Sequence, residues 1–190
     1  KLIKNVNNKA VTIANDRWQR YIHSGYGVIP RLSASRRPLY NVPPTYESVQ
    51  QRIDLWHQPY HTLISQTLDE AQHIFQKSFL LDIHSMPQSS PDLADIVIGD
   101  MNGHSASQDC SDLIKKELKK FDLTYSMNKP YRGGFITEHH GKPNLNKHAI
   151  QIEINRDLYL QEDYKISSEA VRELGVVLRD IVKSVSSMCE

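Results

Sequence analysis

One residue that is suited to chemistry stands at the end of a short apolar run. His84 follows residues 79–83, Phe-Leu-Leu-Asp-Ile, which are typical of a buried β-strand. Ligands bind beyond the carboxyl ends of the strands in α/β sheets, so this position suits a functional histidine. Asp82 shares the same face of the strand, and a metal-binding histidine usually has its other ring nitrogen held by a carboxylate or carbonyl. His84 is therefore a candidate metal ligand, with a hydrogen-bonded structural histidine as the alternative.

A second candidate is a carboxylate in an isoleucine-rich strand. Residues 148–155 alternate, so that the isoleucines share one face and polar side chains, including Glu153, share the other. Burial of a carboxylate is costly unless it is paired or lies near a metal. Glu153 is a candidate general base, which would take a proton from a zinc-bound water. The alternative is a salt bridge to Arg156, or a place on an exposed sheet face.

A glycine-rich loop offers candidate substrate contacts. Residues 128–134 read Asn-Lys-Pro-Tyr-Arg-Gly-Gly, and paired glycines permit tight backbone conformations and the close approach of a ligand. The planar guanidinium of Arg132 matches a carboxylate. An ordinary flexible loop with a solvated arginine is the alternative.

Other histidines and the cysteines give weaker indications. His139 and His140 look like a metal pair, but adjacent histidines rarely face one ion unless the chain bends sharply. His61 is expected to be structural or to lie at the rim of the site. Cys110 and Cys189 are the only cysteines, which argues against a disulfide framework and against a Cys-x-x-Cys zinc site. The sequence has no His-Glu-x-x-His, Gly-x-Ser-x-Gly or phosphate-loop motif.

The elements that must position these residues alternate between helices and strands. Thr45 opens a helical pattern that runs to about Ile74, and Pro59 predicts a kink or a break near Gln58. The other predictions are strands at 79–83, 94–98, 123–126 and 148–155, helices at 105–120 and 167–186, and a loop at 128–143. This order predicts an α/β sandwich with a mainly parallel sheet.

Composition excludes several classes of protein. The chain has 190 residues and 24% charged residues, enough for one sizeable domain. A net charge of +1 gives no footprint for nucleic acid, and no apolar stretch approaches the roughly 20 residues of a membrane helix. We therefore expect a cytoplasmic protein with free thiols and a small-molecule substrate, without nucleic-acid or membrane partners. The chain starts at Lys1 rather than at a methionine, so we expect a segment before it.

Several runs, taken in order, resemble the N-formylglutamate amidohydrolase family. The most specific are Asp-Ile-His-Ser-Met-Pro at 82–87 and Gln-Ile-Glu-Ile-Asn-Arg at 151–156. Supporting runs lie at residues 25–31, 52–61, 95–100, 128–134 and 148–159. Together they cover nearly the whole chain.

The resemblance implies a fold like that of the zinc metallocarboxypeptidases, with three α/β/α layers around a mainly parallel mixed sheet. It implies one zinc ion, with His84 as its third ligand and Glu153 as the catalytic carboxylate. The first two ligands are expected from a segment before Lys1, so residues 1–190 are predicted to form a single amidohydrolase domain that lacks its N-terminal portion. His23 imitates the missing ligand motif in a different setting. The resemblance also implies four substrate-binding residues: Ser85, Asn128, Arg132 and Gly133.

The reaction implied by the resemblance is the hydrolysis of N-formyl-L-glutamate to formate and L-glutamate, with histidine breakdown as the expected context. One alternative is a non-catalytic or truncated member of the fold without a complete zinc site. Another is a related zinc hydrolase that acts on a different acyl-amino acid or on a peptide C-terminus. The sequence leaves the oligomeric state open.

Overall fold

The computed structural model describes residues 25–189, apart from positions 26, 34 and 162. The chain falls into two compact units that divide between Leu63 and Ile64, and each is described by itself. The single-domain prediction for residues 1–190 stays a prediction. His23 lies outside the described residues.

The described part of the first unit consists of a loop and the beginning of a helical segment. A short antiparallel bridge joins Leu32 to Pro38. Helix α1 (Tyr46–Arg52) begins after Thr45, whose hydroxyl accepts a hydrogen bond from the Ser48 amide at 3.2 Å. This contact satisfies one of the amides that the first turn of a helix leaves without a partner, which confirms the predicted start.

A change of helical pitch separates α1 from the next helix. A π-helical turn at Ile53–His57 precedes α2 (Gln58–Phe75), and the amide of Gln58 donates to the carbonyl of Ile53, five residues back. The helical segment is therefore irregular near the predicted position but does not break there, because helical turns continue from Tyr46 to Phe75. Pro59 has no amide hydrogen, and it occupies the second position of α2, close to the irregular turn.

Four strands of the second unit form one sheet in the order β1-β4-β2-β3. The strands are β1 (Ser78–Met86), β2 (Ile96–Gly99), β3 (Tyr125–Met127) and β4 (Lys147–Asn155). β4 runs parallel to β1 and antiparallel to β2, and β2 runs parallel to β3. Two of the three pairings are parallel, so the predicted mixed, mainly parallel sheet is confirmed.

The hydrophobic core lies on one face of this sheet. Helices α3 (Gln108–Lys120) and α5 (Ser168–Ser186) pack against each other, and their apolar faces cover the isoleucines of β2 and β4. The buried residues of the cluster are Ile96, Ile98, Ala106, Cys110, Ile114, Leu118, Ile150, Ile152, Ile154, Val177, Ile181 and Val185. Both helices were predicted, and the burial of their apolar stripes accounts for their formation. Among the described residues, no helix is both long and apolar enough to cross a membrane.

The segment 128–143 differs from its prediction. It was expected to be loop throughout, but helix α4 (Phe135–His140) forms within it, followed by a 3-10 turn at Pro143–Leu145. α4 packs against β4 and β1, and the Thr137 side chain is fully buried. Tertiary packing therefore stabilises a six-residue helix that glycines and prolines on either side conceal in the sequence.

Strand β1 is longer than predicted. It was expected to end at His84, but it continues through Met86, which is 1% exposed. Hydrogen bonding to β4 extends the strand past the end of its apolar run, since Ser85 and Met86 pair with the last residues of β4. His84 is consequently fixed within a strand rather than in the loop that follows it.

Candidate active site

Two neighbouring strands bring four polar side chains together. In the parallel pairing of β1 with β4, Asp82 lies beside Gln151 and His84 beside Glu153. Side chains two residues apart on a strand share a face, so all four project from the side opposite the isoleucine core. We refer to these four residues as the polar row. The predicted alternation within β4 is confirmed.

His84 is oriented by the carboxylate two residues before it. Its Nε2 lies 2.9 Å from Asp82 Oδ1, and its side chain is 46% exposed. An ionised carboxylate only accepts hydrogen bonds, so in this contact Nε2 carries a proton. When the ring carries no second proton, Nδ1 has a free lone pair. Nδ1 lies 4.0 Å from Glu153 Oε1. Asp82 and His84 share one face of β1, as the sequence predicts.

Glu153 is a buried carboxylate with one strong hydrogen bond. The residue is 6% exposed, and Gln151 Nε2 donates to its Oε1 at 2.7 Å. On its other side, β2 places the fully buried Val97 opposite Glu153. Burial raises the pKa of Glu153, against the opposing effects of His84 and of the hydrogen bond from Gln151. A raised pKa suits a group that must both take up and release a proton near neutral pH.

The simpler explanations of Glu153 do not match the structure. It does not lie on an exposed sheet face, because it is buried. Within the described ranges it forms no ion pair with a lysine or arginine. Arg156 instead donates from Nε to Ser85 Oγ at 3.2 Å, and its charge lowers the pKa of Glu153 only as the last of several effects.

Asn128 fastens the glycine-rich loop at its start. Its Oδ1 accepts from the amides of Asp100 and Asn102, both at 3.1 Å, and its Nδ2 donates to Asp100 Oδ1 at 2.8 Å. The residue has a left-handed backbone with φ of 59°. Asp100 is itself buried and also accepts from the hydroxyl of Ser111. The substrate contact assigned to Asn128 stays a prediction, and its amide is already engaged within the protein.

The same loop crosses the sheet beside the polar row. A methyl group at Gly99 would lie 2.7 Å from both the carbonyl carbon of Arg132 and the nitrogen of Gly133, so the loop passes directly over this glycine. The Arg132 carbonyl accepts from the Met101 amide at 2.8 Å. Gly133 has φ of 111°, which a side chain would strain. The side chain of Arg132 is exposed and has no carboxylate partner among the described residues.

Ser85 lies apart from the polar row. It pairs with Ile154, and the alternation of β1 places its side chain on the face opposite His84. Its hydroxyl accepts from Arg156, as described above. The structure therefore brings His84 and Glu153 together but not the side chain of Ser85, whose substrate role stays a prediction.

The other histidines that the sequence singled out, His61, His139 and His140, lie in helices. His139 and His140 belong to α4, where their rings meet nearly at right angles and His139 stacks on Phe135. His61 lies in α2, with its ring 4.4 Å from that of His57. These contacts are ordinary ring packing.

The chemistry of His84 fits one position in a zinc site, because its carboxylate partner leaves Nδ1 available. A catalytic zinc usually has three protein ligands. Across residues 25–189, with their three gaps, no group of three or more histidine, cysteine or acidic residues is arranged to hold a metal. The two further ligands expected before Lys1 are outside this range.

Sequence reasoning missed two residues of the site, Gln151 and Gly99. Gln151 is 6% exposed, accepts from the Gly134 amide at 2.9 Å and donates to Glu153. Its spacing of two from Glu153 on an alternating strand was the available signal. Gly99 gave no comparable signal, because the loop that crosses it comes from more than 30 residues later in the chain.

Solved structures show which class of fold this is. The N-formylglutamate amidohydrolase from Ralstonia eutropha JMP134 superposes with a TM-score of 0.74 and 29% sequence identity, over 88% of this chain and 62% of that chain. A gene product from Agrobacterium tumefaciens shares the fold, with a TM-score of 0.63 and 21% identity, over 84% of this chain and 61% of that one. The fold is the α/β fold of these proteins.

The family model for N-formylglutamate amidohydrolase matches residues 11–160, and the chain belongs to this family. It is 26% identical over 170 residues to the N-formylglutamate deformylase of Pseudomonas aeruginosa, covering 84% of this chain and 64% of that protein. It is 24% identical over 175 residues to the N-formylglutamate deformylase of Pseudomonas putida, covering 87% of this chain and 66% of that protein. The chain thus spans slightly less than two thirds of these relatives.

Proposed function

We propose that the protein hydrolyses the amide bond of an N-formyl amino acid, with N-formyl-L-glutamate and water giving formate and L-glutamate. The observation that carries this proposal is the buried Glu153 beside His84 on neighbouring strands. Family membership and the names of the Pseudomonas relatives support the choice of substrate. Histidine breakdown, which the family resemblance implies, and a cytoplasmic location stay predictions.

Glu153 is proposed to move the proton. It would take a proton from the attacking water and deliver it to the nitrogen of glutamate as the formyl carbon–nitrogen bond breaks. Its burial supports this role, since the raised pKa of Glu153 brings the protonated and ionised forms closer in free energy near neutral pH.

His84 is proposed to hold one zinc ion through Nδ1, with Asp82 fixing the ring. When bound, zinc would polarise the formyl oxygen and lower the pKa of the water. The remaining ligands would come from outside the described residues. Arg132 is proposed to bind a substrate carboxylate, because its exposed guanidinium belongs to the loop that crosses beside the polar row.

Formate release tests this function. The full-length protein, supplied with one equivalent of zinc per chain and incubated with N-formyl-L-glutamate, is expected to release formate and glutamate in equal amounts, and a chelator is expected to stop the reaction. N-formyl-L-leucine is the control substrate, because it lacks the second carboxylate of N-formyl-L-glutamate. Preference for the leucine compound would favour another acyl-amino acid substrate.

A non-catalytic protein is the second candidate. The observation that favours it is that the described residues include one candidate zinc ligand rather than three. Zinc analysis of the dialysed protein distinguishes the catalytic proposal from the non-catalytic alternative. Folded protein that retains no zinc and releases no formate with zinc added would contradict the catalytic proposal.

Asp82→Asn tests the orientation of His84. An asparagine can present its amide to Nε2 in place of an oxygen, so the ring would lose its fixed tautomer and direction. We expect formate release to fall by about 10- to 100-fold, as is typical when the partner of a metal-binding histidine is removed. Asp112→Asn, which makes the same change at an exposed position on α3, is the control, and its kcat for formate release is measured alongside that of Asp82→Asn. Equal activity of Asp82→Asn and wild type would contradict the orienting role.

A further inference from the structure

Gln151 connects two parts of the site, the 128–134 loop and Glu153, by one hydrogen bond to each. It lies in the middle of the polar face, flanked by Asp82 on β1 and by Gly99 on β2. One end of its amide accepts from Gly134 at 2.9 Å, and the other donates to Glu153 at 2.7 Å.

The chemistry of an amide makes these two contacts interdependent. The oxygen of a primary amide only accepts hydrogen bonds, and its nitrogen only donates. Acceptance from the Gly134 amide therefore fixes the oxygen toward the loop and directs the nitrogen of Gln151 toward Glu153. If the amide were flipped, its NH2 group would face the N–H of Gly134, and its oxygen would face the carboxylate of Glu153. Neither pair could form a hydrogen bond. The position of the loop thus selects the orientation that holds the carboxylate.

Because Gln151 is buried, the loss of either hydrogen bond would cost free energy of folding. Gln151 is 6% exposed, and a buried amide that loses a partner is destabilised by the lost hydrogen bond. The contact also engages Oε1 of Glu153, and no described residue donates to Oε2. Gln151 therefore holds one oxygen of the carboxylate and leaves the other to exchange a proton.

We propose that Gln151 is a positioning residue that couples the 128–134 loop to Glu153. When the loop lies across Gly99, Gln151 holds the proton-shuttling carboxylate in place, and a loop that moves away releases it. The kinetic part of this inference rests on the proposed function, whereas the coupling itself belongs to the described hydrogen bonds.

Two substitutions distinguish the effects of the two hydrogen bonds that the Gln151 side chain makes. Gln151→Met has a similar length and removes both contacts. Gln151→Glu keeps an oxygen for the Gly134 amide but presents a like charge to Glu153. Two adjacent buried carboxylates share a proton unless the pH is high enough to remove it. At such a pH, we expect kcat to fall by about 10- to 100-fold in each variant. KM is expected to rise only in Gln151→Met, because only that variant loses the loop contact.

An exposed substitution, Gln161→Met, is the matched control and is expected to keep wild-type kinetics. A purely structural role predicts a different pattern, in which the midpoint of thermal unfolding falls but kcat of the folded protein does not. Wild-type kcat in Gln151→Met would overturn the positioning role.

Hydrogen exchange tests the coupling without any assay of activity. Glu153→Ala removes the acceptor for Gln151, so we expect the Gly134 amide to exchange about 5-fold faster or more, although Glu153 makes no contact with it in the hydrogen-bond network. The Gly141 amide, which donates to Thr137 at the end of α4, is the internal reference and should not change. Unchanged exchange at Gly134 would overturn the coupling. A folded, zinc-supplied wild type that releases no formate would instead contradict the proposed function, and the exchange result would still decide the coupling.

Discussion

Glu153→Gln is expected to lower kcat for formate release by about 10²- to 10⁴-fold, the usual contribution of a general acid or base. Glutamine keeps the shape of the side chain and an oxygen that accepts from Gln151, so the strand and its neighbours should be preserved. It cannot take a proton from water. Steady-state kinetics with N-formyl-L-glutamate measure the loss.

The same variant is expected to be at least as stable as the wild type at neutral pH. Burial raises the pKa of Glu153 above its ordinary value of 4.5, so the fold disfavours the ionised form. The neutral glutamine avoids this penalty. The stability gain should appear as pH rises from 4.5 through the folded-state pKa, and it should vanish below 4.5, where the carboxyl is protonated in both folded and unfolded chains. Denaturant unfolding at several pH values measures the difference.

Glu173→Gln on α5 is the matched control, because it changes an exposed carboxylate to the same amide. It is expected to leave kcat unchanged. Retention of wild-type kcat by Glu153→Gln would reject the proton-shuttling role. A loss of stability that persists at neutral pH would instead show that the ionised carboxylate is favoured by its surroundings.

Gly99→Ala is expected to destabilise the protein by about 1–3 kcal/mol, the usual cost of overpacking a closely packed position. The new methyl group would lie 2.7 Å from backbone atoms of Arg132 and Gly133, which cannot rotate away as a flexible side chain would. The loop must therefore shift. Because this shift also moves Arg132, we expect KM for N-formyl-L-glutamate to rise. Denaturant unfolding and steady-state kinetics measure the two effects.

Gly175→Ala makes the same chemical change, but we expect it to stabilise the protein. Gly175 lies within α5, and an added methyl group would meet nothing within 4 Å. Alanine is expected to stabilise the helix by about 0.5–1 kcal/mol, because glycine loses more conformational freedom on folding. Similar stabilities for Gly99→Ala and Gly175→Ala would show that the loop does not press on β2.

The local parts of this fold were predictable because local patterns determine them. Thr45 is followed by a helical pattern and caps it, and the alternation of residues 148–155 separates an apolar face from a polar one. The apolar stripe of α5 identified that helix, and Ser167 caps it as a serine at this position should. In each case, the signal and the structure lie within a few turns of the same chain segment.

The site depends on contacts that no local pattern specifies. His84 and Glu153 each had a structural alternative, and only the register between β1 and β4 makes them neighbours. The 68 residues between them in the sequence carry no sign of that register. The clamp from Asn128 to Asp100 and the passage of the loop over Gly99 are likewise set by tertiary packing. The family resemblance supplied what periodicity lacked, since it assigned separate roles to the two residues.

The order of the strands has a consequence for how the protein folds. Among the described strands, β4 is the last in the chain but lies between β1 and β2 in the sheet. β1 and β2 therefore cannot become part of one sheet until the chain has been synthesised to residue 155, where β4 ends. Sheet completion is therefore a late event during synthesis, dominated by contacts between distant residues, which is typical of slow folding. Insertion of β4 is also the step that places Glu153 beside His84. A nascent chain that lacks β4 has neither the central strand of its sheet nor the pair on which the proposed reaction depends.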